Sequence, residues 1–101
     1  MKDYTPWGIV FLMELDEKTA VDLQKRLRRV EGQIRGIQAM IDGGRECTDV
    51  VTQFAAAIRA VEQAGFKYFA ATMAQCALDP ERAAARGYSP QKLEKLFLQL
   101  S

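Results

Sequence analysis

The stretch LQKRLRRVEGQIRGIQAMIDGG, residues 23–44, determines the fold class. Its aliphatic residues alternate steps of four and three positions, which is the spacing of one continuous apolar seam on an α-helix. The seam consists of Leu23, Leu27, Val30, Ile34, Ile37 and Ile41. A glycine pair at 43–44 is typical of a helix end. We therefore predict a first helix that begins at Asp16 or Thr19 and ends at Asp42.

A second, longer helix is predicted from Thr48 or Asp49 to about Leu78, because this segment contains no proline and many alanines. Two later segments, Asp79–Pro80 and Ser89–Pro90, each combine a helix N-cap with a proline at the first helical position. They predict a short helical turn and a terminal helix. With no strand pattern in the chain, the sequence predicts an all-α fold.

The chain has 101 residues, which allows a single domain at most. We divide it into an N-terminal extension, residues 1–13, and one helical domain, residues 14–101. The apolar run at 7–13 is too short to span a bilayer and lacks a basic start and a cleavage site. We therefore expect a cytoplasmic protein without a membrane partner, whose extension is either dispensable or an arm that packs on a partner chain.

Positive charge is concentrated in one segment. Residues 25–45 contain six cations and two anions, a net charge of +4, although the whole chain carries only +1. Such a cluster fits an anionic partner such as DNA, and a solvated helix face is the alternative. Because the chain has no histidine and no glycine-rich phosphate loop after a strand, we do not expect an enzyme.

The two cysteines, Cys47 and Cys76, are 29 residues apart. On one continuous helix their Cα atoms would be about 43 Å apart, whereas a disulfide requires roughly 7 Å. Two copies packed antiparallel would bring the start of this helix beside the end of its partner. We therefore predict two equivalent Cys47/Cys76 sites between the chains of a two-fold dimer.

The two thiols should also differ in reactivity. Cys47 lies at the N-terminal end of the second helix, where the backbone dipole and the nearby Arg45 favour an anion and Glu46 opposes one. Cys76 lies at the other end. Cys47 is thus the candidate nucleophile and Cys76 the candidate resolving thiol; the alternative for either is a small buried residue without chemistry.

Two motifs, RLRRVEGQIRGI at 26–37 and ECTDVVTQ at 46–53, resemble the copper-sensitive operon repressor family, and the resemblance covers roughly residues 14–100. It implies a three-helix protomer, an antiparallel dimer that forms a four-helix bundle, and a tetramer made of two dimers. It also implies binding to operator DNA without a helix-turn-helix. The family-matched DNA contact is Arg26, and its basic neighbours are Lys25, Arg28, Arg29, Arg35 and Arg59. Gln63 departs from the pattern, because a further cation is expected there.

Copper sensors of this family carry a cysteine, a histidine 25 residues later and a cysteine four residues after that. The matching positions here are Cys47, Thr72 and Cys76, so the imidazole of a three-coordinate Cu(I) site is missing. Cu(I) held by the two thiolates alone remains an alternative. Nickel or cobalt sensing, which uses several histidines, and formaldehyde sensing, which does not normally involve the second cysteine, fit less well.

Two cysteines without the histidine are similar to the persulfide-sensing branch of the family, the sulfurtransferase repressors. This resemblance implies a repressor that senses persulfide or polysulfide through Cys47 and Cys76, uses no cofactor, and derepresses sulfide-detoxification genes. A helical interaction protein that senses nothing is the second alternative.

Overall fold

The computed structural model describes residues 15–101 and contains four helices in that range. They are α1 (Glu17–Asp42), α2 (Cys47–Leu78), α3 (Pro80–Ala85) and α4 (Pro90–Leu100). No strand occurs among these residues, which confirms the all-α prediction. The predicted N-terminal extension, residues 1–13, lies outside the described residues.

Helix α1 has the predicted boundaries. Its N-cap is Asp16, whose Oδ1 accepts a hydrogen bond of 2.6 Å from the backbone N–H of Thr19. This hydrogen bond is the main reason why the pKa of Asp16 is lowered from its ordinary value. The helix ends at the glycine pair, where Gly44 adopts a positive φ of 68° that a residue without a Cβ adopts easily.

Helix α2 is continuous over 32 residues and begins at Cys47, one residue before the predicted start. Both predicted proline starts are confirmed. The Asp79 carboxylate accepts from the N–H of Arg82 at 3.1 Å, and the Ser89 hydroxyl accepts from the N–H of Lys92 at 3.2 Å. These caps satisfy backbone donors that a helix start would otherwise leave unpaired.

Helices α1 and α2 form an antiparallel hairpin with a narrow core. Leu23, Val30 and Ile37 of α1 are buried at intervals of seven residues, and Ala57 and Ala64 of α2 are buried at the same interval. Repeats of seven keep one stripe of each helix facing the other, and alanine allows the backbones to approach closely. Helix α4 packs on the far half of α2 through an aromatic cluster described below.

Half of the predicted seam of α1 does not face this core. Leu27, Ile34 and Ile41 are 44%, 48% and 57% exposed. Four large residues of α2 are also exposed, and they line the same two grooves as these three residues of α1: Phe54, Ile58, Val61 and Tyr68. We call these seven side chains the apolar face. A set of this size is unusual on the surface of a monomer. None of the described helices is long and apolar enough to cross a membrane.

Candidate functional site

Cys47 is the first residue of α2, and its thiol is free and exposed. The preceding N-cap, Glu46, makes no capping hydrogen bond with its side chain. Arg45, which the sequence suggested as support for an anionic sulfur, has its guanidinium Nη2 3.3 Å from the Asp49 carboxylate. The charge of Arg45 is therefore shared with that carboxylate and is not directed at the Cys47 thiol alone.

Cys76 lies near the other end of α2, and its free thiol is buried, with only 8% of the residue exposed. It lines a groove of about 840 Å³ between α2, α3 and α4. The groove is almost entirely apolar, and its large side chains include Phe69, Met73, Tyr88 and Phe97. The exposed and the buried thiol therefore have different surroundings, and their predicted difference in reactivity stays a prediction.

Because α2 has no break, the two thiols of one chain are about 43 Å apart along its axis. This continuity confirms the premise of the distance argument made from the sequence. Neither a disulfide nor a metal bridge can join them within one chain. Their pairing across two chains remains a prediction.

Thr72 is one helical turn before Cys76 and is only 3% exposed. Its hydroxyl donates a hydrogen bond of 2.8 Å to the carbonyl of Phe69, so it is engaged with its own helix. Residues 15–101 contain no group of three histidine, cysteine, aspartate or glutamate side chains placed to hold a metal ion. One chain therefore offers a single thiol near each end of α2. Two thiolates from different chains would suit a linear Cu(I) site, and the imidazole of the three-coordinate copper-sensor site is missing from the sequence.

The six basic residues singled out in the sequence all lie on α1 and α2. Five of them are exposed and Arg26 is half-buried. The Nε of Arg26 lies 3.3 Å from the Asp22 carboxylate four residues earlier. Exposed ion pairs of this kind contribute little to stability, so a phosphate can replace the Asp22 carboxylate as the partner of Arg26. Arg26 is thus available to DNA, at the cost of one weak ion pair.

The structure adds two cations that the sequence argument missed. Lys18 and Lys67 line a groove between α1 and α2 together with Lys25. One signal was present in the sequence, since Lys67 follows Gln63 by four residues and so lies on the same face of the helix.

The protein is thus small and all-helical in its described residues, with a basic helical hairpin and a cysteine near each end of one long helix. Residues 19–100 match the family model described as metal-sensitive transcriptional repressor, and the chain belongs to this family. The members of the family are repressors, not enzymes.

Two curated relatives are named as copper-sensing transcriptional repressors. The chain is 41% identical to RicR of Mycobacterium tuberculosis over 63 residues, which is 62% of each protein. It is 47% identical to CsoR of Bacillus subtilis over 34 residues, which is 34% of each. The chain thus spans less than two thirds of the length of these relatives. No solved structure matches it significantly.

Proposed function

We propose that this protein is a DNA-binding transcriptional repressor whose effector acts on paired thiols, Cys47 of one protomer and Cys76 of another. The observation that carries the proposal is the placement of the two cysteines near opposite ends of one unbroken helix. An antiparallel pair of such helices brings each Cys47 beside the partner's Cys76 and creates two identical sites. The family description and the basic hairpin support DNA as the target.

The apolar face supports the antiparallel dimer. Its exposed side chains recur at intervals of three, four and seven residues along both helices, as in the seam of a four-helix bundle. Covering such a face with a second hairpin would remove several large apolar side chains from water. This burial would stabilise the dimer by roughly 1 kcal/mol or more for each half-exposed residue. The tetramer of two dimers is part of the proposal and follows from the family resemblance.

Cu(I) is the first candidate effector. Both curated relatives are named as copper sensors, which favours copper over the persulfide hypothesis. Two cysteine thiolates are soft donors that suit Cu(I), so this chain would bind it with two sulfurs. Thr72 would not contribute, because its hydroxyl is a hard donor that is already bonded to the Phe69 carbonyl.

Persulfide is the second candidate, and the observation that favours it is Thr72 itself. The reaction of a persulfide with two thiols requires an attacking and a resolving cysteine and no imidazole. The Cys47 thiolate would attack the outer sulfur of a persulfide RSSH, giving a Cys47 persulfide and releasing RS⁻. The thiolate of the partner's Cys76 would then attack the Cys47 sulfur, expel HS⁻ and form a disulfide between the chains.

Two treatments of the reduced protein separate these candidates. Cu(I) titration under anaerobic conditions should bind one ion per pair of thiols and protect both cysteines from alkylation. Polysulfide treatment should instead give a covalent dimer by mass spectrometry without reductant. Cys47→Ser and Cys76→Ser should each abolish the response while DNA binding persists. If neither treatment weakens binding to DNA, and both variants behave like the wild type, the chain is not a thiol sensor.

A further inference from the structure

The hairpin has a second, polar groove besides its apolar face. This groove has a volume of about 640 Å³ and lies between the first half of α1 and the second half of α2. Three lysines line it, Lys18 and Lys25 from α1 and Lys67 from α2. The other side chains that line it are small or aliphatic, except Thr19 and Asp22.

The cations of this groove have few counter-charges. None of the three lysine ammonium groups forms a hydrogen bond or a salt bridge with another residue in the range 15–101. Asp22 is the one carboxylate in the lining, and it already faces the guanidinium of Arg26 at 3.3 Å. Lys18 is near enough to Asp16 to help lower the pKa of that carboxyl. Lys25 and Lys67 are therefore the least compensated charges, and Lys67 brings positive charge onto α2.

The position of Lys67 also bears on the departure noted at Gln63. Residues four apart lie on one face of a helix about 6 Å from each other. The cation that is absent at Gln63 is thus supplied one turn later on α2. Lys18 and Lys25 are seven residues apart on α1, so they also share a face. The three lysines thus place positive charge on both helices at one groove, and Arg26 is joined to it through Asp22, which lines the groove.

We propose that Lys18, Lys25 and Lys67 form a contact site for the phosphates of the DNA backbone, which adds the groove between α1 and α2 to the DNA-binding surface. This inference rests on the proposed function. Lysine ammonium groups bind phosphates as point charges and release counterions from DNA, without reading the bases. Each contact should therefore appear in the salt dependence of binding and should be insensitive to sequence.

The test is fluorescence anisotropy with a labelled DNA duplex of arbitrary sequence, titrated with the intact protein between about 50 and 200 mM NaCl. Lys67→Gln should reduce the slope of log K against log salt by about 0.9 for each lost contact and weaken binding roughly eightfold per contact near 100 mM salt. Lys95→Gln is the matched control, because it removes the same charge from an exposed position on α4. It should leave the slope unchanged.

The outcomes distinguish this inference from the proposed function. If the wild type does not bind the duplex at any salt concentration, DNA binding itself is wrong. If the wild type binds with a steep slope and Lys67→Gln matches Lys95→Gln, only the lysine site is wrong. Inorganic phosphate added at constant ionic strength should not displace the DNA; displacement that requires Lys67 would overturn the proposal in favour of a site for a small anion.

Discussion

Phe97 holds α4 against α2, and its removal gives a prediction with a calculable size. Its ring centroid is 5.9 Å from those of both Phe66 and Phe69, in tilted geometries. Truncating a buried phenylalanine to alanine costs about 3–5 kcal/mol. Because Phe97 is 44% exposed, its truncation should cost roughly half of the value for a fully buried phenylalanine. We expect Phe97→Ala to destabilise the docking of α4 by about 2 kcal/mol.

The same change should expose the buried thiol, because Phe97 and Cys76 line the same groove. The Cys47→Ser background leaves Cys76 as the one remaining thiol. In it, a loss of about 2 kcal/mol in the docking of α4 would raise the population of the opened state up to about 30-fold, and alkylation by N-ethylmaleimide would be faster by the same factor. Leu98→Ala is the matched control on α4, since Leu98 is 61% exposed and does not line the groove. A lower urea midpoint with an unchanged alkylation rate would show that α4 does not protect Cys76, and an unchanged midpoint would refute the packing argument.

Four further outcomes are expected. Ile34→Asp places a charge in the middle of the apolar face and should shift the protein towards monomer in light scattering after size exclusion. Gln63→Arg should steepen the salt dependence of DNA binding by about 0.9 per new contact in the anisotropy assay. Thr72→His should supply an imidazole one turn before the second thiol and raise Cu(I) affinity in competition with a chelating dye. The hydrogen bond from Thr19 lowers the pKa of Asp16. The stabilising effect of the Asp16 carboxylate should therefore be present above the ordinary pKa of 3.8 and be lost as the pH falls through the lowered pKa. Asp16→Asn should remove this part of the pH dependence of thermal melting.

Each of these expectations has a result that contradicts it. Ile34→Asp should be compared with Lys95→Asp, which places the same side chain on an exposed site of α4; equal masses for the two variants would refute dimerisation through the apolar face. An unchanged salt slope for Gln63→Arg would mean that this face does not meet DNA. Unchanged Cu(I) affinity in Thr72→His, with the fold intact by circular dichroism, would argue against copper at this site. A parallel decline of Asp16→Asn and wild type at low pH would assign the acid sensitivity to other groups.

Helix boundaries were predictable because they depend on local chemistry. The Asp79 and Ser89 caps, the prolines that follow them and the glycine pair after α1 act within one turn of the chain, so the sequence is sufficient to find them. The seam of α1 was predicted as one apolar stripe. Periodicity alone could not tell which half meets α2, because Leu23 and Leu27 are the same residue type and differ only in their burial in the hairpin.

The candidate site was predictable only in part. The separation of Cys47 and Cys76 follows from helix rise, which requires no tertiary information. The burial of Cys76 under α3 and α4 was not predicted, because it depends on a chain reversal that brings Phe97 back to α2. The groove that contains Lys67 was missed for the same reason. Its cations come from two helices, and the sequence does not show which residues of one helix lie beside which residues of the other.

The arrangement also suggests how thiol chemistry would reach the DNA. Helix α2 carries both cysteines at its ends and Lys67 between them, and it is unbroken. In the proposed antiparallel dimer, a bond or a metal at both Cys47/Cys76 sites would tie the two α2 helices together at each end. Their spacing, and with it the spacing of the two basic grooves, would then be fixed. A ligand changes DNA affinity only if it favours one such spacing over another, so the coupling requires that the free dimer can adopt at least two. Because Cys76 is buried and lines the groove between α2, α3 and α4, movement of α4 away from α2 would give a partner chain access to this thiol.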